Sequence, residues 1–110
     1  MAIVIIDKIV TPQQIKKAQE DYESYIKLTI DIDQEIIALG GEFHADAEKI
    51  LLEQGSQQKN LWGGGLNLET KLLEANAIIN YRGGSAEILE PKAREKFLKI
   101  AKKFLGKYVK

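Results

Sequence analysis

The stretch Tyr25-Ile26-Lys27-Leu28-Thr29-Ile30-Asp31-Ile32-Asp33-Gln34-Glu35-Ile36-Ile37-Ala38-Leu39-Gly40-Gly41 decides the fold. Ile26, Leu28, Ile30 and Ile32 alternate with Lys27, Thr29, Asp31 and Asp33, a period of two that belongs to a half-buried strand and not to a helix. Asp33-Gln34-Glu35 supplies a turn into a second strand, Ile36-Ile37-Ala38-Leu39, and Gly40-Gly41 ends it. A hairpin at this position predicts a mostly antiparallel sheet.

Toward the N-terminus, residues 2–6 are continuously apolar and mostly β-branched, as in a short buried strand. Thr11-Pro12 offers an N-cap followed by proline at the first helical position. The spacing of Ile15, Ala18, Gln19 and Tyr22 predicts a helix to about residue 24 with a thin apolar stripe, suited to the edge of a sheet. Toward the C-terminus, Asp46 is expected to cap a helix over residues 47–54, with Ile50 and Leu51 inward and Gly55 closing it. Leu61 to Glu69 alternates weakly around Gly63-Gly64-Gly65. Residues 72–82 predict a further strand, with Ala75, Ala77, Ile79 and Tyr81 alternating against Asn76, Ile78, Asn80 and Arg82. Pro91 opens the last helix, whose apolar stripe is Ala93, Phe97, Ile100, Ala101, Phe104, Leu105 and Tyr108. The order β-α-β-β-α-β-β-α defines an α+β class: one domain over residues 1–110, without repeats, low-complexity segments or a linker.

Composition narrows the function classes. The chain of 110 residues is 45% apolar, enough for a core, and has no cysteine. That excludes a disulfide scaffold, a thiolate metal site and a thiol nucleophile. No apolar run reaches the roughly 18 residues a membrane helix requires. The first apolar run is too short for a secretory leader, so a soluble cytoplasmic protein is expected. Sixteen basic and sixteen acidic residues cancel, but unevenly. Residues 1–90 carry a net charge of −7, and residues 91–110 carry +7 through Lys92, Arg94, Lys96, Lys99, Lys102, Lys103, Lys107 and Lys110 against Glu95. Zero is therefore the sum of an acidic body and a basic tail.

Three blocks carry a resemblance. They are Gly40-Gly41-Glu42-Phe43-His44-Ala45-Asp46, then Glu53-Gln54-Gly55-Ser56 with Leu61-Trp62-Gly63, then Ile78-Ile79-Asn80-Tyr81-Arg82. In order and spacing these are similar to the signature blocks of a small prokaryotic family, domain of unknown function 5674, over roughly residues 10–105. Gly83 stands where that family usually has proline after the Asn-x-Arg block, and the connection into the last helix is short. The resemblance implies that His44, Asp46, Trp62, Asn80 and Arg82 lie in shared blocks. It implies no reaction.

Several constellations could carry chemistry. His44-x-Asp46-x-Glu48 would present all three side chains to one face if the backbone were extended there. One imidazole among carboxylates suits an oxygen-loving divalent ion, with Asp31 and Asp33 as possible further ligands, better than a zinc cage. The plainer reading is an N-cap, a first-turn acid and a turn histidine, and it takes precedence. Trp62-Gly63-Gly64-Gly65 lacks the pattern of a phosphate loop, so a bulge or close approach is expected, with the Trp62 ring as the candidate neighbour. Asn80 and Arg82 could hold a carboxylate or phosphate, although a salt bridge from Arg82 to the acidic body is favoured. The wide aromatic stripe of the last helix predicts docking on the sheet, with its lysines solvated.

The expectation is thus a binding or interaction module without catalytic activity or cofactor, with Trp62, Asn80 and Arg82 as binding candidates. A homo-oligomer or protein partner fits this reading, and no membrane is involved. The alternative is a small hydrolase or divalent-metal enzyme in which His44, Asp46 and Glu48 act and Asn80 and Arg82 hold an anionic substrate. Nucleic-acid binding through the basic C-terminal helix ranks last.

Overall fold

In the computed structural model, which describes residues 3–75 and 91–110, the central hairpin forms as its alternation dictates. Strand β2 (Tyr25–Asp31) pairs antiparallel with β3 (Ile36–Gly40), placing Thr29 opposite Ala38 and Leu28 opposite Leu39. Strand β1 (Ile3–Ile6) joins the far edge of β3. On the other side β2 pairs with β4 (Leu61–Asn67), which pairs with the two-residue β5 (Leu73–Glu74). The sheet order is β1-β3-β2-β4-β5, antiparallel throughout.

Two helices cover one face. Helix α1 (Pro12–Ala18) starts at the Thr11 cap, whose hydroxyl accepts the Gln14 N–H while the Gln14 side chain accepts the Thr11 N–H. Helix α3 (Pro91–Leu105) lays Ala93, Phe97, Ile100, Ala101, Phe104 and Leu105 against Ile26, Leu28, Ile30, Ile37, Leu39, Trp62 and Leu66. The predicted stripe of α3 is the buried one, and Tyr108 follows, half-buried, in a short 3₁₀ turn. Among the described residues no helix is long and apolar enough to cross a membrane.

Helix α2 (His44–Glu53) covers part of the opposite face, where Ala47 and Leu51 pack on Ala38 and Leu61. Here the structure corrects three expectations. Strand β2 is not half-buried, because α2 shields Thr29 and Asp31 on its polar side as well. Helix α2 begins at His44 with Phe43 as N-cap, so Asp46 is not the cap but lies in the first turn, where an acid complements the helix dipole. Helix α1 ends at Ala18 and not near residue 24. Gln19 and Glu20 close it with bonds to carbonyls three residues back, and the Gln19 side chain donates to the Glu23 carbonyl at 2.6 Å. Gly55 closes α2 with φ +105°, as expected of a residue after a helix end. Residues 76–82 of the expected strand after β5 lie outside the described residues.

Asp31 locks the hairpin to α2. One carboxylate oxygen accepts the main-chain N–H groups of Asp33 and Gln34, each at 2.9 Å. The other accepts the Gln34 side-chain amide at 3.0 Å and the Ser56 hydroxyl at 2.7 Å. Ser56 follows Gly55, so this fully buried carboxylate ties the β2–β3 turn to the end of α2.

Candidate functional site

The α2 side of the sheet is built from small and polar residues. Register places Tyr25, Lys27, Thr29 and Asp31 of β2 beside Asn67, Gly65, Gly63 and Leu61 of β4, with Glu74 of β5 next to Gly65. Toward the other side, a Cβ on Gly64 would overlap the Glu74 carbonyl and the Phe97 ring, so the bare main chain is required for β5 and α3 to close in. On the α2 side, a Cβ on Gly65 would overlap the Tyr25 hydroxyl. The close approach expected at the triple glycine is therefore present, but the rings are Phe97 and Tyr25. Trp62 sits in the core beneath α1 and α3, with 7% of its surface exposed.

His44 meets the same glycine run from α2. At the first turn of α2 its ring reaches the β4 main chain, and Nε2 lies 2.6 Å from the Gly64 carbonyl oxygen. A carbonyl only accepts, so Nε2 carries the proton and Nδ1 is left as an acceptor. Burial holds the imidazole below its ordinary pKa, and the Lys27 ammonium pushes the same way, while the Gly64 hydrogen bond opposes both. His44 is thus uncharged at neutral pH.

Around it lie groups of distinct character. Lys27 sits over the Tyr22 ring, with Nζ 4.5 Å from the centroid, and 5.9 Å from that of Tyr25. The Tyr25 hydroxyl donates to Glu74 at 3.5 Å, and burial followed by the Glu74 charge raises its pKa. The Thr29 hydroxyl is buried without a hydrogen-bond partner among the described residues. Phe43 offers no side-chain cap to the N–H groups that open α2.

The sequence candidates separate. A helix turns 100° per residue, so Glu48 lies on the His44 side of α2 while Asp46 points about 200° away. The one-face arrangement required an extended backbone, and the helix removes it. Both oxygens of Asp31 are engaged in the hairpin lock, and Asp33 borders a separate cleft against α3. Among the described residues no three His, Asp or Glu side chains are grouped to hold a metal ion. Asn80 and Arg82 lie outside the described residues. Lys27, Tyr25, Thr29 and Glu74 were not singled out as site residues from the sequence. The signal was the β2 alternation, which already put Lys27 and Thr29 on the polar face.

These features define a class: a small α+β domain with a neutral histidine fixed on the glycine-lined face of an antiparallel sheet. The chain belongs to the family described as protein of unknown function (DUF5674), whose model matches residues 4–104. No curated protein and no solved structure matches it.

Proposed function

We propose that the protein is a binding module without chemistry of its own, taking its ligand on the α2 side of the sheet around His44 and Lys27. The observation that carries this reading is the fixed, uncharged imidazole. Its Nε2 proton is committed to the Gly64 carbonyl, and the charge bearing on the ring is an ammonium. An ammonium neighbour makes imidazole a weaker base, whereas a general base is usually strengthened by a carboxylate. What remains is a neutral acceptor at Nδ1, a cation at Lys27 and the uncapped start of α2. This set suits an anionic ligand that also donates a hydrogen bond, such as a protonated phosphate.

The chain contains one histidine, so its imidazole resonances are assigned without ambiguity. Titrating the full chain with inorganic phosphate is expected to shift those resonances saturably, and Lys27→Met is expected to weaken the response several-fold. An unmoved imidazole would sink the ligand assignment. Turnover of chromogenic phosphomonoesters, phosphodiesters or carboxylic esters, abolished by His44→Gln, would instead establish an enzyme.

A further inference from the structure

We infer that α3 presents a lysine row that docks on the phosphate backbone of duplex DNA. Lys92, Lys96, Lys99, Lys102 and Lys103 are all exposed. At 100° per residue they fall within an arc of about 120°, opposite the buried stripe. Glu95 is the only acid in that arc. At 1.5 Å per residue the row from Lys92 to Lys103 is about 16 Å long. Phosphates recur about every 3.4 Å of axis on each DNA strand, so the row spans roughly five of them.

Among the described residues the body answers this row with a single ion pair. Lys103 pairs with Glu35 at 3.3 Å, and no other α3 lysine has an ion pair among the described residues. Asp33 and Glu35 face Lys96 and Lys99 across a cleft of about 450 Å³ that Ile32 and Ile100 also line, so among the described residues the body brings acid to one edge of the row. The acids of α2, Asp46, Glu48 and Glu53, lie on the opposite side of the sheet. Lys92, Lys96, Lys99 and Lys102 are therefore exposed and carry no ion pair among the described residues.

The partner follows from what else the helix offers. The apolar stripe is consumed by the core, leaving no face to insert into a lipid surface, as an interfacial helix requires. No exposed aromatic ring stands in the arc to stack single-stranded bases. No hydroxyl or amide side chain stands there to read a ribose 2′-OH. A straight row of ammonium groups matches the regular charge of a DNA duplex and carries no sequence preference. This surface is independent of the His44 face, which lies across the sheet.

The test is fluorescence anisotropy of a labelled 20-base-pair DNA duplex titrated with the full chain. Binding is expected in the 10⁻⁴ to 10⁻⁶ M range typical of non-specific contacts, at about 50 mM salt. Four neutralised phosphates give a log–log salt slope near −4, so affinity should fall roughly 200-fold by about 200 mM. Lys96→Glu with Lys99→Glu should abolish binding, whereas Lys49→Glu on exposed α2 should leave it unchanged. Both changes are at exposed lysines without ion pairs among the described residues, and circular dichroism confirms the fold of each variant. Absence of binding, indifference to the α3 reversal, or tighter binding to single-stranded RNA or to anionic phosphatidylserine vesicles would overturn the assignment.

Discussion

The two sides of the sheet are built on opposite principles. Beneath α1 and α3 the side chains are large and apolar, with Phe97, Phe104, Trp62 and a row of leucines and isoleucines closing a continuous core. Beneath α2 the core among the described residues is Ala38, Ala47, Leu51 and Leu61, flanked by Ile3, Ile5 and Ile36. The rest of that side carries Thr29, Asp31, His44, Lys27 and bare glycine. Burial of apolar area stabilises the fold, and polar groups withdrawn from water cost stability unless paired. The first side is therefore where the stability resides, and the second is where it has been given up for polar groups.

Truncation in the two cores should expose this difference most strongly. Phe97→Ala removes a fully buried ring that fills the space above Gly64, and should cost about 4 kcal/mol in urea unfolding. Leu51→Ala on the α2 side should cost less, about 2–3 kcal/mol, because its smaller neighbours leave fewer contacts to lose. An equal or larger loss at Leu51 would break the comparison. Next in size is Asp31→Ala, which strands the Ser56 hydroxyl, the Gln34 amide and two main-chain donors. It should cost about 2–3 kcal/mol. It should also raise hydrogen exchange at Asp33 and Gln34 above that of the β2–β4 ladder, a local signature that loss of core packing would not give.

His44 supplies a smaller effect with a pH signature. Its folded pKa lies below its unfolded value of about 6.5, so the native state binds fewer protons than the unfolded chain near that pH. Its contribution is therefore fully present above pH 6.5 and is lost as pH falls toward the folded pKa. Wild-type stability should decline below about pH 6.5, and His44→Gln should decline less steeply over the same range. Parallel profiles would show that the ring is not desolvated. At pH 7.5, His44→Ala should cost about 1 kcal/mol for the lost Gly64 hydrogen bond.

The same asymmetry explains what the sequence discloses. On the α3 side every signal is periodic: the alternation of Ile26, Leu28 and Ile30, and the helical stripe from Ala93 to Leu105, name their own partners. Thr11 and Gln14 mark a helix start because capping is local chemistry. The α2 side depends on contacts remote in sequence, and there local reasoning is weaker. Asp46 has the chemistry of a cap, yet Phe43 holds that position, because the backbone turns helical early enough to bring His44 onto Gly64, 20 residues away. Asp31 looks like a surface acid until Ser56, 25 residues on, closes over it. The triple glycine signals close approach without saying which ring approaches. The charge split at residue 90 is readable from composition, but that Asp33 and Glu35 meet the α3 lysines while the acids of α2 lie across the sheet is visible only once both helices are placed.

The smallest expected effect, and the only favourable one, concerns Thr29. On the α2 side the hydroxyl is buried at 1% exposure with no hydrogen-bond partner among the described residues. Valine has nearly the same shape and lacks that unpaired group. Thr29→Val should therefore stabilise the domain by about 0.5–1 kcal/mol, read from the urea midpoint at unchanged m-value. If the hydroxyl is kept for the ligand proposed at His44, the variant should also show a weaker phosphate-induced shift of the imidazole resonances. Gain of stability with loss of that response is what a site selected for binding against stability should give. A destabilised variant would mean that the hydroxyl is paired after all, and the division of labour between the two sides would then rest on His44 and Lys27 alone.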